Sequence, residues 1–249
     1  MWKHTETSAA AVVANADVAL PARATGGEIY FGKLSQAPRV ASAKVPVVVF
    51  LHGSSGLGLK AIGEWQRWLA GLGYASIAPD SMVLPGRITY SSPVSKDVYE
   101  KIHALRGSEI PMALAALADT AWADPRRLVL SGASEGGPAV ARYAGREFAG
   151  RIIFSWSCED NYFVDAHRTV VPSVPVLNVV SAADPFFSRA NPFIGNRDAH
   201  GHCGDALREH SNTTIVLIPG APHTLLNVPQ ARTAVEAWLR TTVGGGAPE

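Results

Sequence analysis

The stretch of sequence that most limits the fold runs from residue 127 to residue 138, where an apolar strand turns abruptly into a helix. Its centre, Gly132-Ala133-Ser134-Glu135-Gly136, has the G-x-S-x-G pattern of a nucleophile elbow. A serine in so sharp a turn has strained backbone angles and no room for large neighbours, so small residues flank it. The pattern therefore predicts that Ser134 lies exposed at the carboxyl end of a strand.

A glycine-rich turn with a helix-capping serine is the structural alternative to an elbow. The flanking sequence favours the elbow, because residues 128–130 are apolar enough for a strand and residues 139–144 continue as a helix. We expect that helix to begin near Gly136.

The rest of the chain alternates short apolar strands with helices, which is typical of an α/β fold with a mostly parallel central sheet and helices on both faces. Residues 45–51 form a near-continuous apolar run, as expected of a parallel strand buried on both faces. The other predicted strands cover residues 28–34 at an edge, 74–78, 151–157, 174–180 and 213–218. The predicted helices cover residues 62–72, a segment after residue 96, residues 112–121 after a restart at Ser108 and Pro111, and the segment from residues 227–229 onward.

The composition fits one domain of this kind over residues 28–243, preceded by a loosely held arm over residues 1–27 and followed by a flexible tail over residues 244–249. Residues 1–27 lack the continuous apolar segment of an intact signal peptide. With 22 basic and 21 acidic side chains, the net charge of +1 argues against a nucleic-acid or membrane partner. No apolar run approaches the roughly 18 residues that would span a bilayer. The oligomeric state stays open.

Two further candidate residues follow predicted strands, at the sheet edge where such folds bind ligands. Asp184 follows the 174–180 strand and His223 follows the 213–218 strand. The chain order Ser134, Asp184, His223 is that of a hydrolase triad built on an elbow. Asp184 could instead cap a turn before Pro185. The rival acids, after the preceding strand, are Glu159, Asp160 and Asp165.

Acyl transfer also needs two N–H donors aimed at the developing oxyanion. We expect one from the backbone of Glu135 and the other from Ser54, in the loop after the 45–51 strand. His52, at the end of that strand, is expected to be a hydrogen-bonded structural residue rather than a catalyst.

These motifs resemble those of the α/β-hydrolase superfamily and, within it, the dienelactone hydrolase-like branch. The resemblance covers about residues 28–243 and rests on residues 50–56, residues 132–137, Asp184 and residues 219–223. It implies a carboxylic ester hydrolase that needs no cofactor and acts on a small-molecule ester. Dienelactone hydrolases proper have a cysteine nucleophile, so Ser134 favours ordinary ester chemistry over a lactone substrate.

Three other functions remain open on the same residues. The triad could transfer an acyl group to another acceptor, it could cleave a peptide or amide, or the protein could be a binding protein that keeps the fold without turnover. The substrate pocket must be lined by loops after the strands, and its candidate residues are Arg87, Tyr90, Trp156, Tyr162, Phe163, Phe186 and Phe187.

The connection over residues 185–212 is long for a compact domain, which marks it as functional. A disulfide between Cys158 and Cys203 could hold it beside the site, with two free thiols as the alternative. Zinc is disfavoured, because the ligand spacing matches no standard pattern and includes a single cysteine. The residues considered for zinc are Asp198, His200, His202, Cys203, Asp205 and His210. We expect a soluble protein, cytoplasmic if both thiols are free, and periplasmic or secreted if they are bridged and a signal peptide has been removed.

Overall fold

Eight strands form one sheet in the described part of this computed structural model, which covers residues 3–39, 41–170 and 173–244. In chain order they are β1 (Asp17–Leu20), β2 (Tyr30–Lys33), β3 (Val45–Leu51), β4 (Ala75–Ala78), β5 (Ala123–Ala133), β6 (Gly150–Phe154), β7 (Val176–Ser181) and β8 (Thr213–Ile218). Across the sheet the order is β2-β1-β4-β3-β5-β6-β7-β8. The six strands from β4 to β8 in this order are parallel to one another, so the predicted mostly parallel α/β fold is confirmed.

Helices cover both faces of this sheet and make two cores. In chain order they are α1 (Glu6–Ala14), α2 (Ala22–Thr25), α3 (Lys60–Gly71), α4 (Lys96–Ala118), α5 (Gly137–Arg142) and α6 (Pro229–Thr242). Along β3, Val47 and Val49 pack in the core beneath α4 and α5, whereas Val48 and Phe50 pack in the core beneath α3 and α6. Alternate side chains of one strand are therefore buried on opposite faces, which is why the 45–51 run is apolar throughout. No helix in the described ranges is long and apolar enough to cross a membrane.

The N-terminal residues are part of the sheet, so the prediction of a loosely held arm over residues 1–27 is wrong. Strand β1 lies between β2 and β4 and is antiparallel to both. Val18 and Ala19 are fully buried, and the Gln66 side chain in α3 donates to the Asp17 carbonyl at 3.0 Å. A four-residue strand is too short to show a hydrophobic period, so the sequence pattern missed it. Met1, Trp2 and residues 245–249 lie outside the described residues.

Helix α4 continues through Pro111, although the sequence predicted a new helix there that would extend to Ala121. A proline inside a helix costs about 3 kcal/mol, because it removes one backbone hydrogen bond and crowds the preceding turn. Buried side chains on both sides of Pro111, including Ile102, Ile110 and Leu117, keep the helix packed over the sheet. Tertiary packing thus outweighs the local preference.

The structure also changes the bounds of the elements around the elbow. Strand β5 begins at Ala123, five residues before the predicted start at residue 128. Helix α5 ends at Arg142 instead of continuing through Ala144. Strand β6 ends at Phe154 instead of Ser157, because Ser155 takes a left-handed backbone conformation with φ of +49°.

Candidate active site

Ser134 sits at the predicted strand-to-helix turn, with a left-handed φ of +54°. A Cβ atom at Gly136 would lie 2.2 Å from the Leu51 carbonyl oxygen, and one at Gly132 would lie 2.7 Å from the Gly136 oxygen. Both glycines of the motif are therefore required by close backbone contacts, not by turn propensity alone. The serine is held in a conformation that non-glycine residues rarely adopt, as expected of an elbow.

Asp184 and His223 form a hydrogen-bonded pair at the same sheet edge. His223 Nδ1 lies 2.7 Å from Asp184 Oδ2, and the Asp184 side chain is only 1% exposed. The other carboxylate oxygen accepts the backbone N–H groups of Phe186 and Phe187 at 2.8 and 3.0 Å. One carboxylate oxygen of Asp184 therefore caps a turn, while the other is hydrogen-bonded to His223. The bond at Nδ1 leaves Nε2 of His223 available as a base.

Two buried serines fix the loop that carries His223. Ser155 Oγ donates to the His223 carbonyl at 2.5 Å, and Ser181 Oγ donates to the Ala221 carbonyl at 2.6 Å. Sequence reasoning missed both residues. The only sequence signal for them is their position, because each closes or follows a strand at the sheet edge where Asp184 and His223 lie.

Ser134 and His223 line the same cavity. Within the described residues the structure has no direct hydrogen bond between their side chains. Such bonds are often long or misaligned in unliganded enzymes and tighten when substrate binds. Both residues therefore border the same space at the sheet edge.

The loop after β3 packs directly on Ser134. A Cβ atom at Gly53 would lie 3.4 Å from Ser134 Cβ, in ordinary van der Waals contact. His52 holds the loop, since its Nδ1 donates to the Gly53 carbonyl at 2.6 Å and its Nε2 accepts the Ser81 N–H at 3.1 Å. Burial, and then the nearby Arg106 guanidinium, lower the pKa of His52 well below its usual 6.5. The neutral ring can therefore accept at Nε2, as a structural residue should.

Glu135 has a buried side chain enclosed by partners from two other segments. Arg87 Nη2 donates to Glu135 Oε1, Tyr90 OH donates to Oε2 at 3.0 Å, and Arg106 Nε lies 3.7 Å from Oε1. Burial, and then the Glu135 carboxylate, raise the pKa of Tyr90 above its usual 10, which keeps the hydroxyl a donor. The residue expected to supply an oxyanion N–H is thus fixed through its side chain as well as its backbone.

Arg87, Glu135, Arg106 and Glu109 form a buried ionic cluster. Through Glu109 the cluster extends from the elbow to His4, near the N-terminus. Arg106 Nη1 lies 2.6 Å from Glu109 Oε2, and His4 Nε2 lies 3.4 Å from Glu109 Oε1. Sequence reasoning did not identify Arg106 or Glu109, because charged residues in a helix usually face water. Here both side chains are fully buried.

A cavity of about 280 Å³ opens beside Ser134. Among the predicted pocket residues, the structure brings Tyr90, Tyr162, Phe163, Phe186 and Phe187 to its wall, together with Ser54 of the expected oxyanion loop. The ring centroid of Phe186 lies 4.5 Å from that of His223, which places this aromatic group beside the candidate base.

Arg87 and Trp156 were also predicted to line the pocket, and the structure places neither side chain at the cavity wall. Arg87 is only 4% exposed in its side chain because it is bound to Glu135. Trp156 packs against the start of helix α5. A Cβ atom added at Gly137 would lie 2.6 Å from the Cβ atom of Trp156. The tyrosine at position 90 reaches the cavity with its ring, while its hydroxyl is occupied by Glu135.

The long connection after β7 is held to the sheet by a disulfide. Cys158 and Cys203 are bonded with their Cα atoms 4.7 Å apart, closing a separation of 45 residues. The buried Asn178 side chain accepts the Cys203 N–H at 2.9 Å and donates to the Ile153 and Trp156 carbonyls. A residue on β7 therefore ties the connection to the end of β6.

The three rival acids serve other purposes. Glu159 accepts the N–H groups of His200 and Gly201 at 2.6 and 3.0 Å, and Asp160 accepts the His167 N–H at 2.5 Å. Asp165 contributes its backbone N–H to a bond with Glu100. These contacts organise loops, whereas Asp184 is the acid that contacts His223.

Of the residues considered for zinc, His200 and Asp205 lie together with Glu159, with His200 Nδ1 3.0 Å from Asp205 Oδ2. Cys203 is engaged in the disulfide and has no thiolate to offer. His200 and Asp205 have side chains that are 52% and 65% exposed, as in an ordinary surface ion pair.

Comparison with known proteins identifies the family of this chain. The family model described as the dienelactone hydrolase family matches residues 34–242. No curated protein matches the chain in sequence.

Solved structures with a similar fold include three hydrolytic enzymes. The esterase PE8 aligns with a TM-score of 0.51 at 22% identity, over 83% of this chain and 96% of its own. A dienelactone hydrolase-like promiscuous phosphotriesterase from metagenomic libraries aligns with a TM-score of 0.58 at 20% identity, over 82% and 89%. A thermophilic esterase from Thermogutta terrifontis aligns with a TM-score of 0.57 at 14% identity, over 94% and 89%. At these identities the likeness concerns the fold alone.

Proposed function

Because this chain belongs to the dienelactone hydrolase family and is therefore a hydrolase, we propose that it cleaves small carboxylic esters through an acyl-enzyme on Ser134. The resemblance found in the sequence is confirmed by the family match, while the ester substrate and the triad are the proposal. The observation that carries it is the 2.7 Å contact between Asp184 and His223, because His223 lines the same cavity as Ser134 at the elbow.

In the proposed mechanism, His223 Nε2 takes the proton of Ser134 Oγ as the oxygen attacks the acyl carbon. Asp184 keeps the proton of the imidazole on Nδ1 and stabilises the imidazolium that forms. The N–H groups of Ser54 and Glu135 bind the oxyanion. His223 then protonates the departing alcohol, and water, activated by the same nitrogen, releases the acid and regenerates Ser134.

The test is hydrolysis of p-nitrophenyl butyrate by Ser134→Ala. Loss of the nucleophile should lower kcat by about 10⁴-fold or more while the fold is retained. A fluorophosphonate probe should label the native protein at Ser134 and leave the variant unlabelled. Ser95→Ala, at an exposed position before α4, is the matched control and should keep both activity and labelling. Normal turnover by Ser134→Ala would refute the assignment.

Product analysis separates hydrolysis from the other reactions of a serine triad. With excess methanol, an acyltransferase would yield mainly the methyl ester, whereas a hydrolase should yield mainly the free acid. An anilide with the same acyl group tests amide cleavage directly. Absence of labelling and of turnover together would indicate a binding protein.

A further inference from the structure

We propose that the substrate is an uncharged ester with apolar groups beside the scissile bond, and that the site rejects esters carrying a carboxylate there. This inference rests on the proposed esterase function and specifies its substrate class. Two neighbouring features support it. The cavity wall is largely apolar and aromatic, and the arginines of the buried ionic cluster next to it are already paired with carboxylates.

Among the described residues, the cavity wall includes no aspartate, glutamate, lysine or arginine side chain. Its aliphatic and aromatic side chains are Phe50, Leu59, Ile62, Phe154, Leu225 and Leu226, in addition to the aromatic residues named above. Its remaining polar groups are uncharged hydroxyls and backbone atoms of small residues. A carboxylate moved from water into such a site would lose its hydration without gaining a cationic partner, which is unfavourable.

Arg87, the cation that the sequence offered for binding an anionic substrate, is fully engaged elsewhere. Its Nη2 donates to Glu135, its Nε donates to Ser81 Oγ at 2.8 Å, and its Nη1 donates to the Ile88 carbonyl at 3.2 Å. Each nitrogen of the guanidinium therefore already has an acceptor. Binding a substrate carboxylate would require breaking the buried pair with Glu135.

The charges beneath the elbow also cancel. The cations there are Arg87 and Arg106, and the carboxylates that face them are Glu109 and Glu135. His52 adds no charge, because it is buried and accepts a hydrogen bond at Nε2. The cluster therefore provides no net positive field for an anion in the cavity.

The Asp184 carboxylate makes the local charge unfavourable for an anion. It is buried directly behind His223, with Oδ2 at 2.7 Å from Nδ1 of the ring, so a substrate carboxylate bound near His223 would face a carboxylate of the protein. Within the cavity wall, aromatic rings offer flat apolar surface, with Phe187 lying 5.2 Å from Phe163 between ring centroids. An alkyl or aryl group gains contact there, and a carboxylate is repelled.

The experiment compares two p-nitrophenyl esters that have the same number of non-hydrogen atoms in the acyl chain. The 4-methylpentanoate is uncharged, whereas the succinate monoester ends in a carboxylate. We expect kcat/KM to be at least about 100-fold higher for the uncharged ester. Comparable rates, or a preference for the succinate, would overturn this proposal alone. Failure to hydrolyse either ester would overturn the proposed function and this inference with it.

A cation introduced at the edge of the cavity should reduce the preference for the uncharged ester over the anionic one. Thr224 is exposed and lines the cavity, so Thr224→Arg introduces a guanidinium there, and Thr224→Gln adds length without charge. The preference for the uncharged ester should fall at least about tenfold in the arginine variant relative to the glutamine variant, and the difference should shrink at high salt. Equal preferences in the two variants would refute the electrostatic basis. If either variant fails to fold, the comparison of kcat/KM for the two esters with the native protein still tests the proposal.

Discussion

Arg87 and Glu135 form a buried ion pair although 48 positions separate them in the sequence. Their side chains are 4% and 0% exposed. Arg87 belongs to the loop after β4, and Glu135 follows the nucleophile in the elbow. The pair, with Tyr90 donating to the same carboxylate, fastens the wall of the cavity to the turn that presents Ser134.

Breaking this pair should destabilise the whole fold. Arg87→Met leaves a buried carboxylate short of a cation, and we expect the free energy of unfolding in urea to fall by about 3 kcal/mol. Arg126→Met is the control, because the Arg126 side chain is 90% exposed and should contribute little. A double-mutant cycle with Glu135→Gln measures the coupling between the two groups. A loss below about 1 kcal/mol for Arg87→Met would contradict the prediction.

The acid of the proposed triad can be tested without disturbing its shape. Asp184→Asn should lower kcat by about 10⁴-fold, because the amide favours the wrong tautomer of His223. The control is Asp160→Asn, which changes a carboxylate that accepts only a loop N–H. Activity retained by the first variant and lost by the second would assign the acid to the loop after β6.

Buried neutral histidines should make the protein sensitive to acid. Burial, and then the Arg142 guanidinium, lower the pKa of His103 to about 3, from an unfolded value near 6.5. Between those values the unfolded chain binds a proton that the folded protein does not, so stability is lost as pH falls below 6.5. Each pH unit in that window costs up to about 1.4 kcal/mol at this residue.

His103→Phe should therefore reduce the slope of unfolding free energy against pH between about 6.5 and 4.5 by one proton. Phenylalanine suits the site, because the ring of His103 lies against those of Tyr99 and Phe163. His52, whose pKa is lowered in the same direction, keeps the remaining slope positive. An unchanged slope would show that His103 does not carry this effect.

The disulfide should stabilise the connection between β7 and β8 by restricting the unfolded chain. Closing 45 residues predicts a loss of about 2–4 kcal/mol when both cysteines are replaced by serine. Amide hydrogen exchange should increase first in residues 185–212, and activity should fall before the sheet unfolds. Equal melting temperatures with and without reductant would contradict this prediction.

The sequence allowed the central sheet and the positions of the candidate triad residues to be predicted, because both follow from local patterns. Strand β3 is an apolar run buried on both faces, and the residues after β7 and β8 must share an edge with the elbow. The partner of Arg87 could not be predicted, since it depends on how a loop folds over a distant turn. The predicted helix break at Pro111 was wrong for a related reason. The free-energy cost of a proline inside a helix can be read from the sequence, whereas the tertiary packing that outweighs this cost cannot.

Strand β1 has a consequence for how this protein can be shortened. The family match begins at residue 34, whereas β1 and β2 end at residues 20 and 33. A chain trimmed to the family boundary would expose the backbone groups of β4 that β1 now pairs. Such a free edge is a template for another chain, so the trimmed protein should aggregate even with every residue of the proposed triad present. The region that relatives share in sequence is therefore smaller than the unit that can remain monodisperse in solution.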